Sequence, residues 1–205
     1  MDSVFWKVYD QTRLFVILSA ILVFVYIWSC DFEMSKILFG PSKRQLIDSG
    51  GLMTSRIDQG EWYRLFSSLF LHGDILHLAF NTSALWVLGR MCETMYGAFR
   101  SVLLFLLSGL GGALLSWTMG ATLTVGASGA LFGLIGALVL LGWKYKDELS
   151  HDLGFLLRTR LFVIGILNLV LGLFIPMIDN PSHFGGFIIG IILGLMFKGR
   201  IFVAE

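Results

Sequence analysis

The chain has 205 residues, of which 56% are hydrophobic and only 14% are charged, and its formal net charge at pH 7 is +1. This composition lies outside the range of soluble globular domains and indicates a protein whose solvent is the lipid bilayer. A net charge this small provides no basic surface for nucleic acid, and the charged residues cluster between long apolar runs.

Six largely apolar stretches are predicted to cross the bilayer as helices. They lie at about 14–30, 75–92, 101–119, 126–143, 160–178 and 183–197. The third and fourth share one long uncharged run, which small residues near 119–122 divide by a tight return. We therefore predict an all-α, polytopic membrane protein, a six-helix bundle forming one domain over 1–205. A long loop, about 31–71, separates the first two helices.

Lysine and arginine residues gather at alternate ends of the predicted spans, and short loops with positive charge stay on the cytoplasmic side. These residues are Lys7, Arg13, Arg90, Arg100, Lys144, Lys146, Arg158, Arg160, Lys198 and Arg200. The pattern predicts that both termini are cytoplasmic. No organelle transit signal is apparent, so a prokaryotic cell membrane is the expected location.

Polar side chains inside predicted spans are candidates for function, because they are costly in hydrocarbon unless partnered. His77 and Asn81 lie one turn apart in span 2, Ser128 opens span 4 and His183 opens span 6. At about 1.5 Å per residue, Ser128 and His183 lie at similar depths, roughly 24 Å and 22 Å from the inner charges. All four side chains are expected to meet in one pocket that opens outward.

A serine hydroxyl becomes a useful nucleophile when a base takes its proton, and the tetrahedral intermediate needs donors for its oxyanion. His183 is the candidate base for Ser128. Asn81, His77 and the Ser128 backbone N–H are candidate oxyanion donors. Every Asp and Glu lies in a loop or at a span edge, so the residues favour a Ser–His dyad over a triad.

Glycine stripes on the two helices would allow the close approach that such a dyad requires. Span 6 carries Gly186, Gly190 and Gly194 at four-residue spacing, and His183 lies on the same face. Span 4 carries glycines beside the face that bears Ser128, namely Gly129, Gly133 and Gly136. The stripes are predicted to position the chemistry without performing it.

Several motifs, in order and on alternate spans, resemble those of the rhomboid intramembrane proteases. Gly126-Ala127-Ser128-Gly129 resembles the family's GxSG motif. His72, His77 and Asn81 are similar to the paired histidines and the HxxxN motif of the family's second span. His183, Gly186 and Gly190 resemble the HxxGxxxG motif of its sixth span, and Trp62 and Arg64 resemble the Trp-Arg element of its first loop. The resemblance covers about 61–195.

The resemblance implies an intramembrane serine endopeptidase in which Ser128 is the nucleophile and His183 the general base, with Asn81 and His77 in the oxyanion site. Its substrates would be transmembrane segments of other proteins, cut near their outer ends, and span 5 with the turn after it would form the gate. No cofactor or metal is expected. Phe132 stands where many members have a tyrosine, so a hydroxyl cannot orient His183 from there.

Each of these residue types also has a purely structural use in membrane proteins. Ser128 alone would suit a helix N-cap, and Asn81 with His77 would suit helix–helix hydrogen bonds. His72 would suit a support for the loop, and Trp62 with Arg64 interfacial anchors.

Alternative functions also stay open for the whole chain. One is a catalytically silent rhomboid-like protein that binds membrane proteins. Another is a small transporter or haem carrier using the histidines. Zinc and aspartyl intramembrane proteases are disfavoured, because no HExxH motif and no pair of intramembrane aspartates occurs.

Overall fold

The computed structural model describes residues 3–175 and 177–200, and its regular structure is helical. Its α-helices are α1 (Ser3–Gln11), α2 (Leu14–Ser29), α3 (Met34–Phe39), α4 (Lys43–Asp48), α5 (Thr54–Ile57), α6 (Arg64–Ser67), α7 (Ile75–Ala84), α8 (Arg90–Tyr96), α9 (Ala98–Thr118), α10 (Ser128–Lys144), α11 (His151–Phe155), α12 (Leu161–Phe174) and α13 (Asn180–Met196). Short π-helical segments, Leu85–Gly89 and Leu156–Arg160, join α7 to α8 and α11 to α12. A 3-10 turn, Ser68–Phe70, follows α6.

The long helices are apolar enough for a membrane. Within the described ranges, α9 and the continuous helix His151–Phe174 are each long and apolar enough to cross a bilayer. The pair α1 and α2, bent by 41°, passes the same test if it is counted as one span. α10 and α13 are apolar but have only 17 residues each, which at about 1.5 Å per residue gives roughly 25 Å.

The fifth predicted span, 160–178, has different bounds in the structure. The continuous helix that contains most of this span begins at His151 and ends at Phe174. Ile175 is extended, with φ −114° and ψ 100°, because the residue before a proline is disfavoured in helical conformation and Pro176 follows. Residue 176 itself, and the ends of the predicted domain at 1–2 and 201–205, lie outside the described residues.

α10 lies at the centre of the molecule. Most of its side chains are buried, and it packs along α13, α9 and the segment Leu156–Arg160. Leu134, Ala137 and Leu138 are fully enclosed in the core. Since α10 begins at Ser128, the central helix carries the candidate nucleophile at its first position.

The segment between α2 and α7 contains four short helices and docks onto the turn between α9 and α10. Leu52 and Thr124 exchange two backbone hydrogen bonds of 3.0 Å and 2.9 Å, and the N–H of Gly126 donates to the carbonyl of Ser68 at 2.9 Å. These bonds hold the turn that leads into Ser128.

Candidate active site

Ser128 and His183 are in direct contact. The Nε2 atom of His183 lies 2.8 Å from the Oγ atom of Ser128, which is hydrogen-bond distance. Ser128 is the first residue of α10, and His183 lies in the first turn of α13. The two residues are 55 positions apart in sequence, and the first turns of their helices thus meet at one end of the bundle.

The ring of Phe132 packs flat on the ring of His183. Their centroids are 4.3 Å apart and their planes differ by 11°. Phe132 lies one helical turn after Ser128, so α10 presents both the hydroxyl and the stacking ring to the same imidazole. The Nδ1 atom of His183 is buried and has no hydrogen-bond partner among the described residues. Stacking therefore restrains the ring from one face, while no acceptor in the described part of the chain orients its second nitrogen.

Glycines allow α10 and α13 to approach backbone to backbone. A Cβ atom built on Gly186 would overlap the carbonyl oxygen of Gly129, and one on Gly190 would overlap that of Gly133. A Cβ atom on Gly129 would lie 2.5 Å from the Oγ of Ser182. Any larger residue at these positions would separate the helices that carry Ser128 and His183.

His77 lies against the turn that precedes Ser128. A Cβ atom on Gly126 would be 2.7 Å from the Nε2 of His77, and Gly126 has a φ of +125°, which L side chains rarely adopt. The Oδ1 of Asp74 accepts from the N–H of His77 at 2.8 Å and caps α7. Gly126 therefore makes room for the imidazole of His77 two residues from Ser128.

Asn81 is buried one turn further along α7. Its Nδ2 donates to the carbonyl of His77 at 2.8 Å, and its Oδ1 has no partner among the described residues. The described hydrogen bonds link Asn81 to its own helix and do not join it to Ser128. One N–H of its amide remains available to an incoming acceptor.

His72 is fully buried beside His77, outside the helices. The two ring centroids are 5.1 Å apart and the rings meet edge to face. Burial, followed by the nearby His77, lowers the pKa of His72 to about 3. His72 is therefore neutral at physiological pH and contacts His77 rather than the Ser128–His183 pair.

Trp62 and Arg64 lie in the segment between α2 and α7, and their described contacts are with other residues than Ser128 and His183. Arg64 is 4% exposed, and its Nη1 donates to the carbonyls of Ile47 and Gly51 at 2.6 Å and 2.9 Å. The indole of Trp62 meets that of Trp117 on α9 with centroids 5.1 Å apart. Arg64 therefore connects parts of this segment to each other, and Trp62 connects the segment to α9.

Sequence reasoning missed a second set of polar residues near His183. Asp179 caps α13 and also accepts hydrogen bonds from Ser116 and Thr124. The available signal was Asp179-Asn180-Pro181, an N-cap aspartate shortly before a proline in the first turn. By sequence, Asp179 lies in the short turn between the fifth and sixth predicted spans. Within 3–175 and 177–200, no group of three His, Cys, Asp or Glu side chains is arranged to hold a metal ion.

Comparison with known proteins identifies the family. A profile described as the Rhomboid domain matches residues 59–200 of the chain. The chain belongs to the rhomboid family. With its apolar helices, this rhomboid is an integral membrane protein of a protease family. The family and the all-helical class predicted from the motifs and the apolar runs are thereby confirmed.

Its relatives include bacterial and plant rhomboids. "Rhomboid protease GluP" of Bacillus subtilis is 41% identical over 145 residues, which is 71% of this chain and 28% of that protein. RHOMBOID-like protein 5 of Arabidopsis thaliana is 40% identical over 166 residues, which is 78% of this chain. RHOMBOID-like protein 2 of the same plant is 40% identical over 169 residues, which is 80% of this chain. This rhomboid spans 52% and 51% of the two plant proteins.

Proposed function

We propose that this rhomboid is an intramembrane serine endopeptidase that uses Ser128 as nucleophile and His183 as general base. The observation that carries the proposal is the distance of 2.8 Å between Ser128 Oγ and His183 Nε2. A nucleophile and its base within hydrogen-bond reach are the geometric signature of nucleophilic catalysis by serine. Relatives that lack activity would be expected to lose one of the two residues, and this chain has both.

The reaction follows from the tautomer that the pair requires. With its proton on Nδ1, His183 accepts the Ser128 proton at Nε2 as Oγ attacks the scissile carbonyl. The imidazolium then donates that proton to the leaving amine, and an acyl-enzyme remains on Ser128. Water, activated by the same nitrogen, releases the acyl group and restores the pair. No acceptor among the described residues pairs with His183 Nδ1, so the proposed mechanism is that of a dyad.

The oxyanion would be stabilised at the start of α10. The backbone N–H of Ser128 is free of helical partners because Ser128 is the first residue of a 17-residue helix. The helix dipole adds positive potential there. The His77 imidazole, against Gly126, and the free N–H of the Asn81 amide are the side-chain donors we assign to the same oxyanion.

The remaining predicted site residues have supporting roles in this proposal. Phe132 stacks on the base, and Gly129, Gly186 and Gly190 set the distance between the helices. His72 packs behind His77. Trp62 and Arg64 hold the segment between α2 and α7.

The substrates we propose are transmembrane segments of other proteins, cut near their outer ends after local unwinding. α12 suits the role of a gate, because few of its side chains are buried and most face outward. The arrangement we propose has six spans, cytoplasmic termini and a site that opens outward, in a prokaryotic cell membrane. Distribution of lysine and arginine supports that orientation.

The test is cleavage of a single-span model substrate by purified protein in proteoliposomes. Ser128→Ala and His183→Ala should each reduce cleavage by about 10⁴-fold or more. A fluorophosphonate probe should label the wild type at Ser128 and leave Ser128→Ala unlabelled. Circular dichroism should show that both variants keep their helices. A folded wild type with neither cleavage nor labelling would point instead to a silent binder, and cleavage by either variant would refute the dyad.

A further inference from the structure

Asp179 holds the first turn of the helix that carries His183. Its Oδ1 accepts from the N–H of Ser182 at 3.0 Å, which caps α13. Its backbone carbonyl accepts from the N–H of His183 at 3.1 Å. One residue thus bonds to the main chain of two successive positions, the second of which is the proposed base.

The other carboxylate oxygen of Asp179 joins α13 to the rest of the site. Oδ2 accepts from the hydroxyl of Thr124 at 2.7 Å and from the hydroxyl of Ser116 on α9. Thr124 lies in the turn between α9 and α10, and its backbone is paired with Leu52. A series of hydrogen bonds therefore connects Leu52, through Thr124 and Asp179, to the main chain of His183.

We propose that Asp179 is the positioning residue for His183. This inference rests on the proposed function. In a serine–histidine–aspartate triad, the acid fixes the ring through Nδ1. Here that nitrogen has no partner in the described part of the chain, and Phe132 restrains only one face of the ring. Asp179 acts indirectly, through the main chain of α13. It fixes where α13 begins relative to α9 and to the turn before α10, and so fixes the distance between His183 Nε2 and Ser128 Oγ.

Three substitutions at position 179 separate geometry from charge. Asp179→Ala removes the cap and both hydroxyl contacts. Asp179→Asn keeps an oxygen for the Ser182 N–H, and its NH₂ group can donate to the hydroxyls of Ser116 and Thr124, which accept as well as donate. Asp179→Ser keeps a cap but is too short to keep both outward contacts. A displacement of about 1 Å in a catalytic group can cost about 10²-fold in rate.

The experiment measures kcat and KM for the single-span substrate and the rate of fluorophosphonate labelling at Ser128. Asp179→Ala should lower kcat and the labelling rate by about tenfold or more, with KM within about twofold of wild type. Asp179→Asn should restore both rates to within about threefold, and Asp179→Ser should lie between. Ser42→Ala removes a comparable N-cap from α4, whose described side-chain hydrogen bonds are to Gln45, and should leave both rates unchanged.

Thr124 provides an independent arm if Asp179→Ala does not fold. Thr124→Val should lower kcat, as Asp179→Ala does. Thr124→Ser keeps the hydroxyl and should keep the wild-type kcat. In a folded Asp179→Ala background, Thr124→Val should cause no further loss, because both act through one contact.

Three results would overturn the positioning role. They are full kcat in folded Asp179→Ala, an Asp179→Asn variant as slow as Asp179→Ala, and a Thr124→Val variant with unchanged kcat. The proposed function is judged separately, by wild-type cleavage and by the Ser128→Ala variant. Failure of the Asp179 inference would therefore leave the dyad intact.

Discussion

At the scale of single residues, the orientation of His183 depends on packing as well as on its contact with Ser128. Its ring is buried, one face lies on Phe132, and its Nδ1 has no partner among the described residues. Aromatic stacking contributes about 0.5–1.5 kcal/mol beyond burial. A hydroxyl on the stacking residue is not required for this contact, which explains how phenylalanine can occupy the position.

Substitution of Phe132 tests the stacking contact. Phe132→Ala should lower kcat by about 2- to 10-fold, the factor that corresponds to the stacking free energy. Phe132→Tyr keeps the ring and should remain close to wild type. Cleavage assays on both variants measure this, and an alanine variant with undiminished kcat would show that the ring does not orient His183.

His72 makes the stability of the protein dependent on pH. Its pKa is about 3 in the folded chain, because burial and His77 disfavour the charged ring, and about 6.5 when unfolded. Below pH 6.5 the imidazole of His72 is therefore protonated in the unfolded state, whereas in the folded state it becomes protonated only near pH 3. His72 destabilises the fold progressively as the pH falls through that window, by at most about 1.4 kcal/mol per pH unit.

The variant His72→Phe isolates this contribution. The free energy of unfolding in detergent should depend less on pH between 6.5 and 4 for His72→Phe than for wild type, at a slope difference of up to about 1.4 kcal/mol per pH unit. Above pH 7 the difference between the two proteins should be constant. Parallel pH curves for the two proteins across the acid range would contradict this role of His72.

At the scale of helices, the contact of α10 with α13 decides whether the side chains of Ser128 and His183 meet. Small residues let backbones approach closely where lipid provides no hydrophobic driving force. Gly186 and Gly190 lie directly on the carbonyl oxygens of Gly129 and Gly133. A methyl group added at either glycine would overlap main-chain atoms, which would have to move. Moving the main chain of a closely packed helix pair has a high cost in free energy.

A glycine pair provides the comparison. Gly190→Ala would place its Cβ on the carbonyl of Gly133, and we expect a loss of about 1–3 kcal/mol in the free energy of unfolding, together with reduced cleavage. Gly165→Ala on α12 would place its Cβ 3.6 Å from Ile135, an ordinary contact. That control should be neutral or slightly stabilising, by up to about 1 kcal/mol. Equal stability of the two variants would contradict the close approach.

At the scale of the whole molecule, the segment between α2 and α7 is tied to the bundle at several points. The Leu52–Thr124 pairing holds it to the turn before α10, and the Trp62–Trp117 contact holds it to α9. Within the segment, the buried Arg64 collects the carbonyls of Ile47 and Gly51 and pairs with Glu61. A guanidinium suits this place because its five donors are fixed in one plane.

Arg64 is therefore expected to matter for stability. Arg64→Lys should lower the free energy of unfolding by about 2 kcal/mol or more, because a single ammonium cannot replace donors that point to several carbonyls. Arg44, whose side chain is 92% exposed and pairs with Asp48 at 3.7 Å, is the control. Arg44→Ala should change stability by less than about 0.5 kcal/mol. Unfolding in detergent would measure both, and a lysine variant as stable as wild type would contradict this role of Arg64.

Sequence alone determined the elements that depend on local composition. Long apolar runs predicted helices such as α9 and α10, since a helix in hydrocarbon must satisfy its own backbone. The spacing of residues around Ser128 and His183 predicted the pair now seen at 2.8 Å. The helix that contains the fifth predicted span ends at Phe174, because Pro176 disfavours helical conformation at Ile175.

Tertiary structure alone decided which polar groups act together. Asp179, Ser116 and Thr124 come from three segments, and nothing in their sequence neighbourhoods indicates that one carboxylate accepts from both hydroxyls. The stacking of Phe132 on His183 depends in the same way on the approach of α13 to α10. Apolar patterns are local and specify helices, whereas a hydrogen-bond network depends on distances between helices, which are set only when all the glycine contacts have formed.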